Sequence, residues 1–245
     1  MMKLKQTIKT EFEGLNQNSD KTFNLSLLFA TIVLFVYCYF GSFSFFERTF
    51  TNIQNIGYWK IIYHNCMSFV LFFGFGILFT KLVLKERLKN FGLGLENKRA
   101  FLYICLIALP VAIICGLTTV LDADMVATYP LVDFNTFGKW YMVAGYFVSY
   151  LLYYIGWEYL FRGILLFSSE KKCGAMGAIL LTTLVSALIH TSIGAFGKPM
   201  IETLSAIPAG LIFGYIAHKT RSIYPTLFIH FIIGVSTDLF IFLIH

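Results

Sequence analysis

Seven unbroken apolar runs of about 20 residues, the length that crosses a bilayer, divide the chain. They lie at roughly 23–46, 58–80, 100–120, 141–167, 174–195, 201–217 and 223–244. A soluble core of this size would alternate polar and apolar faces along each element, and these runs do not. The pattern predicts an all-α polytopic membrane helix bundle of about seven transmembrane helices, preceded by a mostly polar segment, residues 1–22. Pro110 in the third run and Pro208 in the sixth are expected to kink their helices. Ser222 is placed to cap the seventh, with Pro225 in its first turn, where a missing N–H costs nothing.

Composition agrees. Hydrophobic residues make up 58% and charged residues only 13%, against about 25% charged in soluble domains. The net charge of +6 comes from basic residues in short loops between apolar runs, which is a topology signal and argues against a nucleic-acid partner. Of 19 Lys and Arg, the N-terminus and the second, fourth and sixth interhelix segments, counted together with Arg162 towards the cytoplasmic end of the fourth run, claim all but four, which are Arg48, Lys60, Lys139 and Lys198. That asymmetry predicts a multi-pass protein of the cell membrane with its N-terminus cytoplasmic and its C-terminus outside. The basic segment Lys85–Arg99, broken by Gly92 and Gly94, reads equally as a leaflet-bound strip or a solvated connector. The N-terminus lacks the form of a signal peptide, because the apolar run after residue 22 is too long for one. Of the five cysteines, Cys38, Cys66, Cys105, Cys115 and Cys173, four lie in apolar runs and none forms a CxxC, so neither a disulfide framework nor a zinc-thiolate site is expected.

Ionisable residues inside membrane spans are expensive and by default mark function. Glu158 and Arg162 are spaced i,i+4 in Gly156-Trp157-Glu158-Tyr159-Leu160-Phe161-Arg162-Gly163, the favourable order for an intrahelical pair. They either serve a site or simply neutralise each other. His190 ends the fifth run. His230 and Asp238 share a face of the seventh, with Gly234 between them. Lys198, Pro199 and Glu202 form the turn into the sixth helix, where Glu202 complements the positive end of the helix dipole, so a capping role is open beside a functional one. Together these residues are the equipment for activating water, by general base or by metal. With a rise of about 1.5 Å per residue, Glu158 and His230 lie roughly 4–5 Å to the cytoplasmic side of their helix centres. His190 and Asp238 lie roughly 7–8 Å to the other side. The gap calls for helix tilt or for two polar layers.

The series Glu-x-x-x-Arg-Gly, a lone His at the end of the next helix, then Ser-Ile-Tyr-Pro-x-x-x-x-His resembles the CAAX-protease and bacteriocin-processing (CPBP, or Abi) family of intramembrane proteases. The resemblance covers about residues 141–245, with an echo upstream in Asn90-Phe91-Gly92-Leu93. It divides the membrane region into N-terminal helices, 23–140, and a family-like core, 141–245. The family's first motif is Glu-Glu-x-x-x-Arg; here Glu158 fills the second position and Trp157 stands at the first, which in the family activates water. The second is Phe-x-x-x-His, matched by His190 with Ser186 in place of Phe. The third is His-x-x-x-Asn or Asp, matched by His230 with Gly234 at the Asn position. Lys198-Pro199 and Glu202 fit a branch with a single motif Glu.

The resemblance implies an intramembrane endopeptidase acting on a peptide or a lipidated protein, with Glu158, His190 and His230 catalytic and with Arg162, Asp238, Glu202 and Lys198 supporting. Asp238 is expected to do the work of the position that Gly234 holds. Trp157 favours a second reading, a catalytically inactive scaffold or bacteriocin-immunity protein that binds a peptide or lipid in the same pocket. A transporter or channel would show paired repeats and broken helices, and neither is visible. No cofactor is expected beyond the surrounding lipids, although His190, His230 and a carboxylate are zinc-ligand types, so a metal stays open.

Overall fold

In a bilayer every backbone polar group must be satisfied within its own segment, which leaves helices as the solution for these apolar runs. The computed structural model describes residues 20–135, 139–191 and 197–245, and among these it contains helices and connecting turns but no strand. The polar N-terminal segment lies outside the described residues except for its last three positions. Six helical segments are long and apolar enough to cross a membrane. These are α1 (Lys21–Phe40), α2 (Ile56–Val83), α3 (Lys98–Leu121), the 51-residue segment Trp140–His190, α6 (Met200–Thr220) and α7 (Tyr224–Ile244).

The 51-residue segment would be about 77 Å long if straight, more than twice a bilayer's ~30 Å apolar thickness. It does not run straight. Gly174 has φ 69° and ψ 169°, a conformation that a residue without a Cβ adopts readily, and the chain doubles back there. The indole of Trp157 and the imidazole of His190, 33 positions apart in sequence, are 5.4 Å apart between ring centroids. A continuous helix would hold them about 50 Å apart. The segment is therefore a hairpin whose arms meet at Gly174: α4 (Trp140–Glu158, running on through a π-helical turn at Tyr159–Leu165) and α5 (Leu166–His190), whose residues before Gly174 still continue the first arm. Counted this way the bundle has seven apolar rods, as the sequence predicts.

Local signals set the ends. Asp20 accepts from the Phe23 N–H at 3.1 Å and Asn97 from the Ala100 N–H at 2.9 Å, capping α1 and α3. Ser222 accepts from the Tyr224 N–H at 3.3 Å, and Pro225 sits in the first turn of α7. The cap position itself is Ile223, one residue later than expected. Pro110 and Pro208 both lie inside unbroken helices. The irregular turns are instead π-helical, at Phe69–Gly74 and Phe79–Val83 of α2 and at Tyr159–Leu165. The first apolar run ends early, at Gly41, and a short helix Phe43–Thr49 follows it.

Burial is inverted, as in a membrane. Phe35, Ile107, Trp140 and Leu243 are exposed around the outside, while Ser68, Thr80, Ser149 and Thr182 are buried within. Small polar side chains join helices there: Asn65 donates to Ser149 at 3.0 Å and Ser68 donates to the Tyr153 carbonyl at 3.1 Å, locking α2 to α4. Ala112 of α3 packs with Ile229 of α7 and Phe213 of α6. The five cysteines are free thiols.

The two ends of the bundle carry different connections. At one end the loop 122–135 meets the turn into α6, and His245 reaches the Val120 carbonyl at 3.3 Å. At the other, the Ile223 N–H donates to the Gly92 carbonyl at 3.0 Å, and Glu170 accepts from Arg221 and His218 at 2.6 and 2.7 Å. In the basic connector, Phe91 and Gly92 are buried against the bundle while Lys85 and Lys89 are exposed.

Candidate active site

Five rods, α2 and α4 to α7, line one cavity. It offers about 120 Å³ accessible to water, room for several molecules. His190 and His230 both line it, with Glu202, Lys198, Tyr150, Tyr154 and Trp157 among its walls.

The strongest contact behind that wall joins α7 to α4. His230 Nδ1 lies 2.7 Å from Glu158 Oε1. A carboxylate accepts, so Nδ1 carries the proton and Nε2 is left as the ring's free base. Glu158 is fully buried, and Arg162 Nη1 lies 3.5 Å from the same oxygen. The π-helical turn begins at the next residue, and such one-turn bulges recur at functional sites. Arg162 is buried with its guanidinium 5.6 Å from the Phe213 ring centroid. It is thus an interior charge, whereas the loop charge count had placed it on the cytoplasmic side.

His190 comes in from the end of α5. Its Nδ1 donates to the Ser186 carbonyl at 2.6 Å, which fixes its tautomer and again leaves Nε2 as the acceptor. The contact with Trp157 brings His190 close to the level of Glu158, so the depth gap expected from helix centres does not separate these two residues.

Asp238 does stay apart. It lies two turns along α7 from His230, is fully buried and accepts from Tyr146 Oη at 2.6 Å. It does not line the cavity, nor do Glu158 and Arg162. The expectation of one shared lining is corrected accordingly. Of the residues singled out in the sequence, His190, His230, Lys198 and Glu202 line the cavity, Glu158 with Arg162 stands behind His230, and Asp238 with Tyr146 forms a second layer; His64 of α2, which sequence reasoning missed, is a third histidine in the wall. Four residues along a helix is one turn but eight is two, about 12 Å, too far for a shared first layer.

Two tyrosines that sequence reasoning missed fill the space over Gly234. Tyr154 Oη donates to Tyr150 Oη at 3.0 Å, and the Tyr154 ring lies 4.3 Å from the His230 ring, centroid to centroid. A Cβ on Gly234 would meet Tyr154 Oη at 2.4 Å and Tyr150 Oη at 2.9 Å. Both phenols line the cavity, and among the described residues no acceptor takes the Tyr150 proton. The signal in the sequence was the run Tyr150, Tyr153, Tyr154 and Trp157, whose helical spacing puts them on one side of α4.

At the cavity's edge Tyr129 Oη donates to Glu202 Oε2 at 2.8 Å, and Lys198 reaches both Tyr129 Oη and, at 3.2 Å, Glu202 Oε1. Burial, and after it the Glu202 charge, holds the Tyr129 phenol well above its ordinary pKa, so it stays a donor. Thr203 ties this turn to the His190 carbonyl at 3.2 Å. Lys198 and Glu202 thus line the cavity as well as starting α6. Among the described residues, no three of His, Cys, Asp and Glu group closely enough to hold a metal ion.

Residues 139–236 match the family model of the type II CAAX prenyl endopeptidases, Rce1-like. The matched stretch is less than half of the chain, and over it the chain is similar to that family. The match contains Glu158, Arg162, His190, Lys198, Glu202 and His230, and it ends before Asp238. No curated protein and no solved structure matches the chain. The apolar helices make this a multi-pass membrane protein, and residues 139–236 are similar to a family of membrane proteases. Trp157, where the family has its first Glu, is 2% exposed and packs against Phe161 and Tyr153. This chain thus has an indole in the cavity wall where that family has a carboxylate.

Proposed function

We propose that the protein is an intramembrane endopeptidase whose general base is His230, aligned by Glu158. The observation that carries this reading is the 2.7 Å bond from His230 Nδ1 to a fully buried carboxylate, beside a cavity that admits water. A carboxylate that orients an imidazole and stabilises its protonated form is a recurrent arrangement for proton abstraction. A water in the cavity gives its proton to His230 Nε2 as its oxygen attacks the scissile carbonyl carbon, and the carbonyl electron pair moves onto oxygen. The imidazolium then returns the proton to the leaving amine as the C–N bond breaks and the C=O bond re-forms. Tyr150, its hydroxyl polarised by the bond from Tyr154, donates to the oxyanion. His190, with a free Nε2, holds the water from the opposite helix. Glu158 is then a positioning residue, and the indole of Trp157 bounds the pocket where the family has its other carboxylate.

Trp157 also sustains a second reading, in which the pocket binds a peptide or lipid without cleaving it. Full-length protein in liposomes, given quenched-fluorescent peptides of mixed sequence with and without a prenyl group, separates the two. Under the peptidase reading, wild type cleaves and folded His230→Ala does not. If wild type and His230→Ala bind alike and neither cleaves, the binder reading stands. Trp157→Glu sharpens the contrast, because activity appearing only in that variant identifies the natural protein as an inactive relative.

A further inference from the structure

Among the described residues, every part of the cavity lining outside the long helices comes from one end of the bundle. These lining residues are Phe43, Thr128, Leu131 and Lys198, and all four belong to the connections 41–55, 119–139 and 191–199. The described residues of those connections lie at a single end: Tyr58 at the start of α2 donates to the Met142 carbonyl at the start of α4 at 2.9 Å, Lys198 and Glu202 both bind Tyr129, and His245 reaches Val120. Among the described residues, none of the opposite end lines the cavity. There Gly92 meets Ile223, and Arg221 meets Glu170.

The basic residues divide along the same line. Lys81, Lys85, Arg87, Lys89, Lys98, Arg99, Lys171, Lys172, Lys219 and Arg221 sit at that opposite, closed end, while the open end, whose connections line the cavity, holds Arg48, Lys60, Lys139 and Lys198. Three of those four sit beside an acid or a ring. Lys60 pairs with Glu47 at 2.6 Å, Lys198 pairs with Glu202, and Lys139 lies 5.9 Å from the Tyr141 ring centroid. The open end also carries Asp122, Asp124 and Asp133. An excess of Lys and Arg within short loops fixes the cytoplasmic side.

We infer that the active site opens away from the cytoplasm, so that the substrate is a peptide presented from the outer side: an exported peptide or the outer segment of a membrane protein. The inference rests on the peptidase reading for its substrate and on the charge map for its side. A chain entering there meets the Tyr129–Glu202–Lys198 cluster first, then the aromatic wall of Tyr150, Tyr154 and Trp157, and reaches His190 and His230 midway through the bundle.

Two measurements test it in intact cells. In a background whose five native cysteines are replaced, Asp124→Cys and Leu131→Cys report the open end and Lys171→Cys the closed one. A membrane-impermeant maleimide should label the first two in sealed cells and Lys171→Cys only after permeabilisation. The reverse pattern overturns the inference. For the substrate, quenched-fluorescent peptides added outside sealed cells should be cut by wild type and spared by His230→Ala, whereas His230-dependent cleavage seen only after permeabilisation overturns the outward assignment. If no His230-dependent cleavage occurs on either side, the peptidase reading and the substrate fall together, and the labelling pattern alone decides which way the cavity opens.

Discussion

Adding one methyl group at Gly234 tests whether the two phenols belong to the site. A Cβ there would lie 2.4 Å from Tyr154 Oη and 2.9 Å from Tyr150 Oη, against a usual non-bonded separation of roughly 3.5 Å or more. At least one ring must move by about an ångström. Such overpacking typically costs about 1–3 kcal/mol, while alanine in place of glycine within a helix returns about 1 kcal/mol. Gly234→Ala should therefore lower stability by up to about 2 kcal/mol, read as a fall in Tm of the detergent-solubilised protein. Turnover should fall further, because a displaced Tyr150 leaves the oxyanion position, and one such donor is worth about 10²–10³ in kcat. Tyr154→Phe removes the closer oxygen, so Gly234→Ala with Tyr154→Phe should regain much of the lost stability without regaining turnover. That non-additivity is the signature of direct contact. If Gly234→Ala leaves both Tm and kcat unchanged, or if the pair is simply additive in stability, the phenols do not fill this space and their proposed role fails.

Other substitutions separate roles. Folded Glu158→Gln should lose turnover by at least ~10²-fold with substrate binding largely kept; because Arg162 loses its counter-charge, Tm must be read alongside, and unchanged kcat refutes the dyad. Tyr150→Phe should lower kcat by about 10²-fold with little change in KM, whereas a rise in KM alone would make it a binding residue. Asp238→Asn, two turns from the cavity and held by Tyr146, should affect Tm more than kcat, and a loss as complete as that of His230→Ala would return Asp238 to the site. Lys198→Ala should alter KM before kcat, since Lys198 stands at the cavity's edge, and an effect confined to kcat would contradict that placing.

Much of the fold was legible because membrane physics is strict. A run of apolar residues this long has few alternatives to a spanning helix, so each predicted rod is present to within a few residues at most of its ends. The exceptions have identifiable causes. The hairpin between α4 and α5 shows as one continuous helix broken only by the dihedrals of Gly174, and π-helical turns leave no mark in hydropathy. For the site, rarity served as the signal. Glu158, Arg162, His190 and His230 stood out because charges and imidazoles are scarce in apolar runs. What spacing could not reveal was depth of burial, namely that Glu158 reaches the cavity only through His230. The tyrosines escaped notice for the opposite reason. They are common in this chain, and nothing in the sequence shows which phenol faces a cavity until Gly234 is seen to make room for it.

The bond between the Ile223 N–H and the Gly92 carbonyl bears on modularity. Gly92 lies well upstream of the stretch that matches the Rce1-like family model, which begins at residue 139, yet it anchors the first turn of the helix that carries His230. Phe91 packs with Phe167 and Ile223 in one cluster, and α2 is bolted to α4 through Asn65 and Ser68. Cutting the chain before residue 139 would strip these partners from both helices of the Glu158–His230 pair and leave their seams bare to lipid. The stretch that sequence comparison delimits is thus not a transplantable unit: it is part of a structure whose remainder supplies the mould in which the site is cast.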